Sequence, residues 1–351
     1  MVKQLIISLL FLLPFSVKGQ EWVSNEMTEY FFDKAIYDMS VNEGVMWVSS
    51  DGVIRADSTG FKVYDFDSIS SDGKLQNFET KFPAKNNFYE LVSNGETTYL
   101  FNRHNFTNNF IKIENDYVEY IHFPINEHIF EFLVDDEGKL WVHTSEMTIK
   151  YNEDLSSIEE LYYLEGGGFK KYEFESDNKN PRSFIVDGNR IYAYMSNPLQ
   201  RYEFEMWVIE NRQVIYKYVL TPKNKLGHYR FDKDENNIYL KSAGEDFYVI
   251  KRNEPEIIIE KYETPFETRD FWYYKVFNDW IFYSDDKGLQ KYNYKTDTLI
   301  KIPLSYNPHY RFFTNFNLYK DSLLIGQNAA GYGSYSLIPE ISSSIRILNI
   351  K

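Results

Sequence analysis

The sequence predicts an all-β fold, a seven-bladed β-propeller of four-stranded antiparallel blades, on three observations. Apolar residues alternate at period two and no convincing amphipathic helical window interrupts them. One unit recurs: an apolar strand, a turn with Asn, Asp or Gly, an aromatic-led strand, a second turn, and a strand ending in a basic–aromatic pair. Aromatic residues are 18% of the chain, with 30 Tyr and 28 Phe, and flat rings fill the gap that widens between radially stacked sheets. A single four-stranded sheet cannot cover both its faces, and stacking around an axis covers them mutually.

The clearest copy runs from Phe130-Glu131-Phe132-Leu133-Val134 through the turn Asp135-Asp136-Glu137-Gly138 to Leu140-Trp141-Val142-His143-Thr144 and Thr148-Ile149-Lys150-Tyr151-Asn152. A second pairs Tyr274–Phe277 with Trp280–Ser284 and Gly288–Asn293, and a third pairs Met39–Gly44 with Met46–Ser50 and Gly52–Arg55. Weaker copies fill the intervals. Taking Trp47, Tyr99, Trp141, Tyr192, Tyr239, Ile281 and Leu324 as second-strand anchors gives spacings of 52, 42, 51, 47, 42 and 43 residues. Such spacing matches one blade per copy.

A β-sandwich would use fewer strands than the roughly 28 that this pattern implies for seven four-stranded units. Six or eight blades remain as rivals, because Glu21–Phe32 and Tyr162–Phe184 read as irregular. Gly166-Gly167-Gly168 reads as a loop protruding from the ring. The last strand, Ser344–Ile350, is expected to pair with material near Trp22 and so remove open sheet edges.

Residues 1–19 read as a secretory leader, with the propeller over 20–351. Met1–Gln4 is a short basic start and Leu5–Phe15 an apolar run of 11 residues, ending in Val17-Lys18-Gly19. Eleven residues are too few to cross a bilayer as a helix, which needs about 20. No later stretch approaches that length. The expectation is a secreted or periplasmic protein with no membrane span in the mature chain.

Composition excludes several classes. The chain has 351 residues, 38 Lys and Arg against 52 Asp and Glu, a net charge of -14, and no Cys. Disulfides, thiolate zinc sites and thiol nucleophiles are therefore absent. Nucleic-acid binding needs a basic surface, and this one is acidic. A chain that is 43% apolar can bury a core, which argues against disorder.

Leu140–Thr144 with Lys150-Tyr151-Asn152, Ile281–Ser284 with Lys291-Tyr292-Asn293, and Met46–Val53 resemble the propeller repeats of the two-component regulator type. In that family the strand reads Leu-Trp-Val-Gly-Thr, followed by a Gly-Leu step and an Arg-Tyr-Asp ending. Three of the seven units match, and Ser49, His143 and Tyr283 stand where the family has Gly. The resemblance implies a propeller that senses or binds a ligand outside the cytoplasm.

Cations recur where each unit's first strand begins. His228-Tyr229-Arg230-Phe231 and His309-Tyr310-Arg311-Phe312 share a pattern, and Arg182, Arg269 and His128 occupy similar places. First strands of a propeller line its channel, so these residues would gather around one opening and form a local anion site. Guanidinium groups grip carboxylate or sulfate bidentately. Channel strands are also simply polar, and neighbours such as Asp232 and Asp270 could neutralise these cations. Within a strand His228 and Arg230 share one face, which sends Tyr229 to the other, between blades.

Two readings follow. The first is a non-catalytic binding or interaction module for a carbohydrate, peptide or protein. The alternative is a polysaccharide lyase or other enzyme acting on an anionic polysaccharide. There His228 and His309 would be catalytic bases and Arg182, Arg230, Arg269, Arg311 and His128 the binding groups. No cofactor is implied. Asp232–Asn236 begins like a calcium loop but lacks its turn Gly and twelfth-position Glu, where Ala243 stands, and reads as a hairpin turn. His122 and His128 lack a third ligand for zinc. Asp135-Asp136-Glu137 reads as a solvated hairpin tip.

Overall fold

The computed structural model describes residues 27–32, 38–42, 44–49, 52–57, 60–65, 89–102, 109–115, 117–124, 128–146, 158–175, 177, 179–196, 204–220, 229–242, 246–252, 254–265, 274–285, 288–302, 312–319, 322–328 and 343–349. The leader expectation, 1–19, lies outside them. Among the described residues there are 28 strands in seven four-stranded antiparallel sheets. None of their helices is long and apolar enough to cross a membrane.

The chain forms two compact units, residues 1–122 with 303–351, and residues 123–302. In the first unit, β1 (Met27–Phe32) stands apart from the strands that follow it in sequence. One sheet is β2 (Asp38–Asn42), β3 (Val45–Ser49), β4 (Gly52–Asp57) and β5 (Gly60–Asp65). The next is β6 (Tyr89–Asn94), β7 (Thr97–Asn102), β8 (Asn109–Glu114) and β9 (Tyr117–His122).

The second unit holds four sheets, each a simple meander. They are β10 (His128–Val134) with β11 (Leu140–Glu146), β12 (Ile158–Glu165) and β13 (Gly168–Lys171); and β14 (Asn180–Asp187) with β15 (Arg190–Ser196), β16 (Phe204–Glu210) and β17 (Gln213–Leu220). The other two are β18 (Tyr229–Lys233) with β19 (Asn237–Ser242), β20 (Asp246–Lys251) and β21 (Ile259–Glu263); and β22 (Tyr274–Phe277) with β23 (Trp280–Asp285), β24 (Gly288–Asn293) and β25 (Thr298–Lys301). Chain-terminal strands β26 (Phe312–Tyr319), β27 (Ser322–Asn328) and β28 (Ser343–Asn349) complete the first unit. There β28 pairs antiparallel with β1, Met27 opposite Leu348 and Phe32 opposite Ser343.

This pairing corrects one expectation. Met27–Phe32, read as irregular, is a regular strand, and it receives the last strand of the chain. Trp22 lies outside the described residues. The Gly166-Gly167-Gly168 run is not a protruding loop but the tight β12–β13 turn. Gly166 (φ 62°) and Gly167 (φ 80°) take left-handed conformations there, and Gly168 already pairs with Glu165. Glycine adopts those angles without steric cost.

The seven second-strand anchors fall in β3, β7, β11, β15, β19, β23 and β27, the second strand of each sheet. Second strands are buried on both faces: every residue of β3 is buried, and in β15 only Arg190 is not. That burial explains why they read as continuous apolar runs. Fourth strands alternate or are fully exposed, as in β17 and β25.

The core lies between facing sheets. Tyr192, Tyr194, Phe204 and Met206 pack on Tyr229, Leu240 and Tyr248 of the next sheet, with Tyr194 and Tyr229 centroids 4.6 Å apart. The Tyr229 ring is therefore buried between sheets, as the strand alternation predicts. Trp207, fully buried beside Phe184 and Ile191, withdraws enough apolar surface to contribute roughly 3 kcal/mol.

First strands are tied to the first strand of the next sheet by carboxylates. Asp38 Oδ2 accepts the Leu91 amide at 2.9 Å, joining β2 to β6. Asp232 accepts the Val276 amide at 3.1 Å and Lys275 Nζ at 2.6 Å, joining β18 to β22. Asp232 thus satisfies a backbone amide on the unpaired edge of β22.

Three glutamates make stability depend on acid. Burial pushes Glu205 up, but Lys179 at 2.6 Å and the Trp207 indole at 2.5 Å overcome it and hold Glu205 below its ordinary 4.5. Glu160 behaves alike with Lys171 and Tyr162, and Glu114 is held down by Lys112 and Thr97. The unfolded chain binds more protons in this window. Their stabilisation is therefore complete above the unfolded value and lost as pH falls through the folded ones. Thermal melts between pH 6 and 3 are expected to fall steeply below about pH 4.5, and Glu205→Gln is expected to flatten that slope.

Candidate functional site

A groove of about 470 Å³ opens between the β10–β13 and β14–β17 sheets. It lies at the end of these sheets where the β10–β11, β12–β13, β14–β15 and β16–β17 turns meet. Trp141, Tyr163 and Tyr172 form one wall, and Val186 and Ile191 the other. The three rings are mutually tilted rather than parallel. Trp141 stands 5.3 Å from Tyr163 at 36° and 5.4 Å from Tyr172 at 61°, while Tyr163 and Tyr172 meet at 74°.

Asp135 fixes the floor. Its Oδ2 accepts the Trp141 indole N–H at 2.8 Å, and its Oδ1 accepts the amides of Glu137 at 3.0 Å and Lys139 at 2.8 Å. The residue is only 6% exposed, so the expectation of a solvated tip is corrected for Asp135. Its neighbours Asp136 and Glu137 are exposed.

Two cations sit over the aromatic wall. Lys139 Nζ lies 5.3 Å from the Tyr163 ring centroid, and the Arg212 guanidinium carbon 5.9 Å from that of Tyr172. The Arg212 amide donates to Tyr172 Oη at 3.0 Å and its Nη2 to Tyr163 Oη at 3.5 Å. Burial pushes the Tyr172 phenol up, so it stays protonated and neutral at physiological pH. Glu165, also on the rim, is engaged by Lys170 at 2.5 Å, which holds it below its usual range.

Asn211 (φ 49°) and Arg212 (φ 66°) make the two-residue β16–β17 turn. A two-residue hairpin with both centres left-handed favours Asn-Gly, because a side chain at the second position crowds the backbone. Arg212→Gly is expected to raise unfolding free energy by up to about 1 kcal/mol, read as a higher urea midpoint at unchanged slope. A lower midpoint would show that the side chain holds the turn.

Of the seven residues read from sequence, the three that are described, His128, Arg182 and Arg230, are not among those lining this groove. His128 begins β10, Arg182 lies at a bulge near the start of β14, and Arg230 is the second residue of β18. They mark one end of three first strands, and the groove's turns lie at the other. Arg182 and Arg230 are both exposed; Arg182 Nε donates to Ser196 Oγ at 2.7 Å, and the Arg230 carbonyl accepts the Tyr274 hydroxyl at 2.8 Å. His228, Arg269, His309 and Arg311 lie outside the described residues, as do Asp270 and Tyr310. Among the described residues no cluster of His, Asp and Glu could hold a metal ion.

No family model and no curated protein matches the chain. Solved structures do. The Cps50 (Swd1) β-propeller domain of Myceliophteria thermophila superposes with a TM-score of 0.61 at 8% identity, over 92% of this chain and 100% of that one. The fold is an all-β propeller. YCF48 from Cyanidioschyzon merolae matches this propeller with a TM-score of 0.55 at 9% identity, over 92% of this chain and 98% of its own. A structure of YCF48 bound to D1 peptide gives 0.55 at 9% identity, over 96% and 100%. In propeller terms the groove separates two adjacent four-stranded blades, and the signal for it was readable in part. Asp135 stands six residues before Trp141, and Arg212 stands where a hairpin favours Gly.

Proposed function

We propose that this chain is a non-catalytic binding module, its seven four-stranded sheets serving as the blades of one propeller, and that it takes a peptide segment of a partner protein in the inter-blade groove. The observation that carries this reading is the groove itself: an aromatic wall rimmed by polar side chains on four hairpin turns, in the size range of a ligand pocket. The structure of a propeller of this fold with a peptide bound, YCF48 with D1 peptide, supports the class of ligand. The sequence likeness to two-component regulator repeats and the leader at 1–19 support a place of action outside the cytoplasm.

An immobilised array of random hexapeptides tests the reading. Retention of a subset by the purified chain is expected, with loss of that retention in Tyr163→Ala. Retention unchanged in Tyr163→Ala, or none at all, overturns it. A parallel panel of uronate polysaccharides, followed by the ultraviolet absorbance of new double bonds, addresses the lyase alternative. Steady product formation there would replace a binding role by a catalytic one.

A further inference from the structure

We propose that the inter-blade groove selects acidic peptide segments, gripping a carboxylate between Arg212 and Lys139; this rests on the peptide-binding reading above. The first support is charge bookkeeping in an acidic chain. Around the groove, cations find carboxylates: Lys170 holds Glu165 at 2.5 Å and Lys233 holds Asp136 at 2.7 Å. Arg212 and Lys139 make no ion pair with a carboxylate among the described residues. Their contacts are to aromatic rings and phenol oxygens.

The groove's own carboxylates do not fill that role. Asp135 is committed to the Trp141 indole and two turn amides, and Glu165 to Lys170. Glu137 and Glu165 share the rim with the two cations without an ion pair to either, and Lys139 and Arg212 add to the pull of Lys170 on Glu165. A guanidinium seated on an aromatic face keeps its edge N–H groups for a planar acceptor, and a carboxylate matches them bidentately.

The second support is the backbone. Arg212 occupies a left-handed position that costs a side chain energy. Asp279 occupies the matching position of the β22–β23 turn (φ 67°), where its carboxylate accepts the Tyr294 hydroxyl at 2.8 Å. At Arg212 the anchoring bond comes from the backbone amide, which Gly would retain. The turn therefore does not need the guanidinium, and a ligand does.

The third support separates peptide from sugar. Sugar recognition by stacking needs open aromatic faces. Here Lys139 and Arg212 lie over the faces of Tyr163 and Tyr172, and the rings are steeply tilted to one another. The site presents cations held by rings rather than a platform.

Three fluorescein-labelled hexapeptides, alternating Gly with Glu, Gln or Lys, test this by fluorescence anisotropy. The acidic peptide is expected to bind at least about tenfold more tightly than the neutral one, with affinity falling as salt rises. Arg212→Gln and Lys139→Gln are each expected to lower its affinity by about tenfold while melting temperature stays unchanged. Arg212→Gly is expected to lose binding and to melt no lower than the parent chain. Equal affinity for all three peptides, or acidic binding unaffected by both Gln variants, overturns the carboxylate proposal and leaves peptide binding standing. Silence from all three overturns the binding reading itself. An oligogalacturonate that displaces the acidic peptide more effectively than unlabelled peptide does would reassign the site to an acidic sugar.

Discussion

Asp135→Ala is expected to lower the stability of this protein by about 3 kcal/mol or more. The side chain accepts three hydrogen bonds in a nearly dry site: the Trp141 indole at 2.8 Å, and the Glu137 and Lys139 amides at 3.0 and 2.8 Å. Removing it strands the buried indole N–H and two part-buried amides, and a stranded buried donor costs about 1–3 kcal/mol. Asp135→Asn separates the contributions. Its carbonyl oxygen can still accept the two turn amides, but its NH2 then faces the indole N–H, donor against donor, for a loss of about 1–2 kcal/mol. Urea denaturation at unchanged slope reads both values. An Ala variant within about 0.5 kcal/mol of the parent would mean that water replaces the carboxylate and that the indole was never held. In the expected case Trp141 loosens and the aromatic wall loses its fixed member, so acidic-peptide binding weakens along with stability.

Fold was far more legible in the sequence than site, for a physical reason. Second strands are buried on both faces, so Trp47, Tyr99, Trp141, Tyr192, Tyr239, Ile281 and Leu324 announce themselves as aromatic or aliphatic peaks at a blade-length spacing. Outer strands carry less signal: β13 is four residues with one half-buried position, Phe169, and its Gly-rich turn was read as a loop. The strand Met27–Phe32 was missed because its partner is the far end of the chain, and a pairing register is not a local property. Periodicity pointed to the end of the blades away from the groove. It placed His128, Arg182 and Arg230 correctly at first-strand starts, yet a cation's interest depends on which carboxylates lie across from it in space. The pairing of Asp232 with Lys275 and the Val276 amide lies between neighbouring strands and is invisible in either segment alone. The groove likewise joins Asp135 to Arg212 across two blades. Its local signals were the Asp135–Trp141 spacing and the Asn211-Arg212 turn.

Arg252→Ala carries the second large effect, about 3 kcal/mol. The side chain reaches three turns: Nη2 pairs with Asp187 and, at 3.3 Å, with Asp136, while Nη1 donates to the Asp234 carbonyl. Lys233 adds bonds to Asp136 at 2.7 Å and to the Val186 carbonyl at 2.9 Å. Arg252 and Asp187 keep only 15% and 13% of their side-chain surface, so truncating the arginine leaves a mostly buried carboxylate without its counter-charge. A double-mutant cycle of Arg252→Ala with Asp187→Ala should show a coupling of about 1–2 kcal/mol that survives added salt. The same cycle on exposed Lys170 and Glu165 should show none. Asp136 adjoins Asp135, and Asp187 lies between the groove residues Val186 and Gly188, so the network also sets how far apart the groove walls stand. Arg252→Ala should therefore weaken acidic-peptide binding although Arg252 does not line the groove. An Arg252→Ala chain that loses stability but binds with unchanged affinity would mean that each blade holds its own wall. Recognition would then rest on Arg212 and Lys139 without help from the neighbouring turns.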